Sequence, residues 1–397
     1  MHASDKSVVA IPDEEFAARR ACAAAAARQR GLLGLLVCSR GGGTLDRYGD
    51  VLYLTNHYSS FPYTPDLTDA WSGRAHGIVL LRADGEMRLI SDVPDDGRIA
   101  CPPGAVVYTD TVLEAAVDGL RDLDMTKGPV GLVGADVLPV SSFRAISKAL
   151  PVIEWPDAQD ILTHLRAIKS PAEIAMLRRA SRIGSQTIEA MMAAAKPGVT
   201  HGDLVAAGMA VLVPEGGQLY NSFMASGRGG GDPVYSRSTF PTWGSDAPLK
   251  NGHWLRLGIS GVVDGYVFDL SRSCAVGQAS NRQIELFEAA IDVIEAGIAA
   301  VKPGATAADV AKAGLARQQS QGFANNGVFK ALGHGIGLGW DAPWLSPNDD
   351  TPLEPGMVLC LERTIRSDDG YLGDFEETVV VTETGCEVIT NAQKRFW

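Results

Sequence analysis

Short apolar runs alternate with polar, turn-rich stretches through the first third of the chain. Gly34-Leu35-Leu36-Val37-Cys38, Val51-Leu52-Tyr53-Leu54-Thr55 and Val130-Gly131-Leu132-Val133 each read as a buried strand. His76–Leu81 and Met87–Ser91 flank Asp84-Gly85, the dipeptide of a tight hairpin. Ahead of them, the Ala-rich stretch 17–27 is built from strong helix formers and lacks the apolar middle and cleavage site of a signal peptide. The pattern predicts a mixed sheet with helices packed on it, an α/β (α+β) fold. After Trp155-Pro156 a new unit begins, where Ser170 is a natural N-cap, Pro171 suits the first helical turn and Glu173 completes a capping box. The expected domains are 1–160 and 165–397.

The second part contains an internal repeat. Lys196-Pro197-Gly198-Val199-Thr200-His201-Gly202-Asp203 recurs 106 residues later as Lys302-Pro303-Gly304-Ala305-Thr306-Ala307-Ala308-Asp309, and Gly208 corresponds to Gly314. Each copy is a Pro-Gly turn, a Thr N-cap and an Asp three residues on, opening an amphipathic helix. Two copies do not make a solenoid. They predict a domain of two related halves, with a site where the halves meet.

Composition narrows the function classes. Apolar residues make up 46% of the 397 positions, enough for a sizeable core. The formal charge of −12 argues against nucleic acid or an anionic membrane as partner, because both reward basic patches. The six cysteines show no CxxC spacing, so they read as reduced core thiols, and with no apolar span of about 20 residues the expected location is the cytoplasm.

Three carboxylates and one imidazole occur in marked settings. Asp269 follows Gly265-Tyr266-Val267-Phe268, His334 lies in Gly333-His334-Gly335-Ile336-Gly337, Glu362 ends the apolar run 357–361, and Glu376 opens another. A carboxylate at the end of a strand is costly unless it is solvated, paired or on a metal. Mixed O/N donors suit Mn, Fe, Co or Zn, and glycines beside His334 allow close backbone approach. A loop histidine and solvated acids remain the alternative at this point.

The segments IKSPAEIAMLRRA (168–180), KPGVT (196–200), DGYVFDLSRS (264–273), GHGIGL (333–338), LEPGMVLCLE (353–362) and FEETVVVT (375–382) appear in the order seen in the creatinase/prolidase family. The chain resembles that family, which includes methionine aminopeptidase, aminopeptidase P and creatinase, from about residue 165 to its end. YLTN at 53–56 extends the likeness to the family's smaller N-terminal domain. The resemblance implies a C-terminal pita-bread domain, a small-molecule substrate and a homodimer. It further implies metal ligands at Asp269, His334, Glu362 and Glu376.

The chain departs from the family pattern in places that bear on chemistry. The family's first metal Asp would fall eleven residues before Asp269, at Gly258. The family's second His would fall at Asp341, and the Pro after the first metal Glu is Arg363. The place of the creatinase histidine is Gly231. One divalent ion is therefore expected in place of two, with a metal-free site, as in creatinases, as the alternative. The expected activity is hydrolysis of an amide- or amidine-like C–N bond in a small polar metabolite. Catalytic roles are expected for Glu362, Glu376 and Asp341, and substrate contacts for Tyr235, Arg256, Trp340 and Tyr266; Arg256 shares a strand face with Gly258. Trp344 and Trp243 belong to the same set of aromatics, and the aromatic loop 58–63 is expected to reach a partner's site. The rival readings are an Xaa-Pro peptidase, a lyase acting on an osmolyte-like substrate and a non-catalytic binding protein.

Overall fold

The computed structural model describes residues 10–40, 49–59, 76–94, 97–229, 234–237, 246–325 and 329–397. The chain forms two compact units, Ala10–Arg166 and Ala167–Trp397. Most of loop 58–63 and Trp243 lie outside the described residues, as do Gly231 and the side chain of Tyr235.

The first unit contains α1 (Asp13–Gln29), β1 (Gly34–Arg40), α2 (Gly49–Thr55), β2 (His76–Arg82), β3 (Met87–Ser91), β4 (Val106–Tyr108), α3 (Val112–Asp122), β5 (Val130–Val133), α4 (Val140–Ala149) and α5 (Gln159–Ala167). Its sheet has the order β4-β3-β2-β1-β5. The β2–β3 hairpin closes at Asp84-Gly85, with Gly85 at φ +103°. Val51–Thr55, expected as a strand, is instead part of helix α2. All seven residues of α2 are buried, and a short run buried on every side has no periodicity to separate helix from strand.

The second unit opens with α6 (Pro171–Ala194), α7 (His201–Leu212) and a 3-10 turn, followed by β6 (Gly217–Gly227), β7 (Val234–Arg237), β8 (Trp254–Val263) and β9 (Tyr266–Ala275). It continues with α8 (Asn281–Ala300), α9 (Ala307–Ser320), β10 (Gly333–Ile336), β11 (Trp340–Trp344), β12 (Val358–Arg366), β13 (Leu372–Val381) and β14 (Cys386–Val388). Each half is thus a helix pair followed by a sheet, ordered β7-β6-β8-β9 in the first half and β11-β10-β12-β13-β14 in the second. Separate cores fill the two halves, around Leu204, Leu257 and Phe268 in one and Val293, Leu332 and Leu361 in the other. Among the described residues no helix is long and apolar enough to cross a membrane, and all six cysteines are free thiols.

The sequence repeat is a structural repeat of helix starts. Thr200 accepts from the Asp203 N–H at 3.2 Å, while the Thr200 N–H donates to Asp203 Oδ2 at 2.7 Å. Thr306 and Asp309 make the same reciprocal pair at 3.1 and 2.9 Å. The matched glycines have a packing reason. A Cβ on Gly208 would lie 2.8 Å from Met191 of α6, and one on Gly314 would lie 2.5 Å from Leu332 and 3.1 Å from the Val293 carbonyl of α8.

Removing a capping hydroxyl leaves a helical N–H without its partner and costs about 1 kcal/mol. Thr200→Ala and Thr306→Ala should each lower the urea midpoint of unfolding by that equivalent, whereas Thr→Ser at either position should not. Midpoints equal to wild type in both alanine variants would show that the paired boxes do not stabilise the halves.

Candidate metal centre

Two antiparallel strand pairs, one from each half, present polar faces to each other. On β8–β9 the cross-strand partners are Arg256–Ser273, Gly258–Ser271 and Ser260–Asp269. On β12–β13 they are Cys360–Thr378, Glu362–Glu376 and Thr364–Asp374. Side chains two apart share a face, so each set lines one side of its sheet. Short bonds join the two faces. Ser273 Oγ accepts from the Asp374 N–H at 2.6 Å and donates to the Asp374 carbonyl at 2.9 Å. Arg256 Nε donates to Asp374 Oδ2 at 2.6 Å, and Thr364 donates to the other Asp374 oxygen. The Thr378 hydroxyl donates to the Asp269 carbonyl at 3.3 Å.

His334 enters this layer from β10, which runs between β11 and β12 and pairs His334 with Cys360. The glycines on either side of it are sterically required. A Cβ on Gly333, whose φ is +152°, would collide with the Cys360 carbonyl, and one on Gly335 would collide with the Ala342 carbonyl. His334 Nδ1 lies 2.9 Å from the Gly335 carbonyl, which can only accept, so Nδ1 carries the ring proton. Burial lowers the histidine's pKa and favours this neutral form. Nε2 is then a bare acceptor, 3.8 Å from Asp269 Oδ2 and 3.9 Å from Glu362 Oε1.

Among the described residues, Asp269, His334 and Glu376 form the group whose ligand atoms could hold a metal ion, all within 4.8 Å of one another. Glu362 lies beside them at the open edge, with its side chain 27% exposed. Burial, then the charge of neighbouring carboxylates, pushes Asp269 and Glu376 well above the usual carboxylate range. Burial, then Asp374, raises Glu362 to about 7 against the opposing pull of Arg256 and Arg363. Two like charges at such separations repel by about 3 kcal/mol at the effective dielectric of a protein site. Oε1 of Glu376 is buried with no hydrogen-bond partner. Facing acceptors, an orphaned carboxylate oxygen and a histidine locked in the ligand tautomer by its backbone bond are what a divalent cation requires. The residues fit the ion.

The other expected site residues separate into two groups. Trp340 borders the cluster and donates its indole N–H to Asp269 Oδ2 at 2.9 Å. Its ring and that of Trp344 lie 5.4 and 5.6 Å from the His334 ring and are 45% and 43% exposed. Arg256 reaches the layer through Asp374. Asp341 and Tyr266 do not join it. Asp341 alternates to the opposite face of β11 from Trp340, where Lys169 Nζ lies 3.3 Å from its carboxylate. Tyr266 is buried, and its hydroxyl donates to Glu173 Oε1 at 3.1 Å, at the capped start of α6. Arg363 faces away from the layer and donates to Gln318 at 2.7 Å and to Asn325. Sequence reasoning missed Asp374, although the two-residue strand period counted back from Glu376 would have found it.

Lys169 is buried to 1% exposure, so Asp341→Asn should cost about 3 kcal/mol of stability by leaving the ammonium underpaired. Loss of turnover with an unchanged unfolding midpoint would instead put Asp341 in the chemistry. The carboxylates with raised pKa values must lose protons to bind an ion, so affinity should fall as pH drops below about 7. Calorimetry of Mn2+ binding at pH 6.5, in two buffers of different ionisation enthalpy, should show net proton release; zero release would mean the acids are already ionised.

Comparison with known proteins bears on both the fold and the chemistry. Residues 175–383 match metallopeptidase family M24. An ectoine hydrolase of Halomonas elongata is 27% identical over 358 residues, covering 83% of this chain and 88% of that protein. An Xaa-Pro dipeptidase of Pyrococcus furiosus is 26% identical over 250 residues, covering 62% of this chain and 69% of that protein. A solved Xaa-Pro dipeptidase from Bacillus anthracis has the same fold, with a TM-score of 0.77 at 23% identity over 97% of this chain and 99% of that one. The creatinase/prolidase resemblance and the mixed α/β pita-bread fold it implied are correct. With more than half of its length inside the family match, the chain belongs to metallopeptidase family M24, a family of hydrolases.

Proposed function

We propose that the protein hydrolyses an amide- or amidine-like C–N bond in a small polar metabolite, at the cluster of Asp269, His334, Glu362 and Glu376. The observation that carries this reading is the neutral His334 Nε2 facing two carboxylates, next to the unpartnered Glu376 Oε1. A divalent ion held by Asp269, His334 and Glu376 would polarise the scissile group and acidify water. Glu362 is the acid at the open edge, and its pKa of about 7 is matched to proton transfer near neutral pH. It takes a proton from the attacking water and delivers it to the departing nitrogen, so that water is added across the C–N bond. Trp340 holds Asp269 in place through its indole N–H. The exposed faces of Trp340 and Trp344 offer a flat surface suited to a delocalised cation such as an amidinium, which the surrounding carboxylates also favour.

The likeness to an ectoine hydrolase supports a cyclic amidine as the first compound to test, because ectoine combines an amidinium with a carboxylate. The likeness to Xaa-Pro dipeptidases supports a second reading, hydrolysis of a dipeptide. The two separate on one panel. Ectoine, other small amidines and amides, and Xaa-Pro dipeptides are incubated with Mn2+-loaded protein, and products are identified by mass. Products whose masses together exceed the substrate's by one water (a single ring-opened product for a cyclic amidine), from an amidine or amide only, support the proposal. Cleavage of the dipeptides alone supports the second reading. Products that together equal the substrate's mass, with no water added, mark a lyase, and binding without turnover marks a binding protein. On the substrate so found, Glu362→Gln should keep its metal and lose about 100-fold or more in kcat. Full turnover in that variant would remove Glu362 from the mechanism.

A further inference from the structure

We infer that Arg256 is a built-in cation of the polar layer and limits it to one divalent ion per chain. The inference rests on the metal reading above and adds the ion count and the residue that sets it. Four carboxylates enter the layer, from Asp269, Glu362, Asp374 and Glu376. Arg256 answers one of them, with its Nε 2.6 Å from Asp374 Oδ2. Thr364 donates to the other oxygen of that carboxylate, so both Asp374 oxygens already have protein partners. Arg272 and Arg363 project from the opposite faces of their strands, where Arg272 pairs with Glu377 and Arg363 binds Gln318.

Gly258 adds no side chain to this face of β8–β9. It faces Ser271 across the β8–β9 ladder, on the same side as Asp269. A Cβ there would meet the Phe223 carbonyl at 3.4 Å and Arg256 Nη2 at 3.6 Å, both ordinary contacts. A side chain therefore fits at 258, and the first group it would meet in the layer is the guanidinium. The hydroxyls of Ser260 and Ser271, on this same face, are buried without a hydrogen-bond partner, so a polar side chain at 258 would meet polar atoms that lack one.

Charge leads to the same count. Four carboxylates set against one guanidinium and one divalent ion leave a single net negative charge. A second divalent ion would reverse that sign and set a dication beside a guanidinium. With Arg256 removed and an acid placed at 258, five carboxylates would balance two ions to the same net charge.

The test is metal content per chain by elemental analysis, after Mn2+ loading and removal of free ion, with folding checked by circular dichroism. Wild type should hold one ion. Gly258→Asp alone should still hold one, because the new carboxylate pairs with Arg256. Arg256→Ala combined with Gly258→Asp should hold two, whereas Arg256→Lys with Gly258→Asp should stay at one. A second ion in wild type or in Gly258→Asp overturns the inference but leaves the metal-dependent hydrolase intact. A double alanine–aspartate variant that folds and still binds one ion also overturns it. No ion in wild type overturns both the inference and the metal reading. If the double variant does not fold, Gly258→Asp alone still decides: one ion supports the role of Arg256 and two overturn it.

Discussion

Carboxylates buried between two sheets cannot all remain ionised without positive charge close by, and the arrangement of the second unit follows from how that charge is supplied. Asp374 has a guanidinium, while Asp269, Glu362 and Glu376 share a neutral histidine that offers only a lone pair. The cluster is therefore poised between holding protons and holding a cation. That balance raises the Glu362 pKa to about 7, the property on which the proposed proton transfer rests.

Hydrogen bonds and ion pairs on either side hold the backbone that carries the layer. Behind it, the buried Arg272 donates to the carbonyls of Ser271, Glu376, Ala392 and Gln393 and to the Glu377 carboxylate, and it lies over the Phe375 ring. Those bonds fix the backbone that carries Glu376. At the other side, the Lys169–Asp341 and Glu173–Tyr266 pairs tie β11 and β9 to the capped start of α6. Asp341 and Tyr266 thus hold the strands that carry Trp340 and Asp269. Asp341 was expected in the site because it stands where the family's second His would fall, and Tyr266 as a neighbouring aromatic. The alternation of side chains along β11 turns Asp341 to the face opposite Trp340, and the Tyr266 hydroxyl is taken up by Glu173.

Membership of family M24 sets the fold and hydrolysis as the general chemistry. The particular chemistry depends on few positions. Beside Gly258, which has no side chain, Arg256 and Asp374 form an ion pair inside the layer. Substituting Arg256 or Asp374 alone would leave the other's charge unpaired in a buried layer, so the two act as a unit.

Much was legible from the sequence where the physics is local. Capping boxes at Ser170, Thr200 and Thr306, the Asp84-Gly85 turn and the glycines around His334 each impose a conformation within a few residues, and all of them formed. The acids and the histidine stood in marked settings, a carboxylate at the end of an apolar run being costly without a partner, but only the resemblance to the creatinase/prolidase family implied them as one ligand set. What the sequence by itself determined was therefore the mixed fold, the family and the repeated helix starts of the two halves. Only the tertiary structure decided which charges meet. The helical state of Val51–Thr55, the pairing of Asp341 with Lys169 and the commitment of Asp374 to Arg256 all depend on surroundings more than a hundred residues away or on burial from every side. Electrostatic energies in a buried layer are set by distances across strands and sheets, which no local pattern of residues encodes.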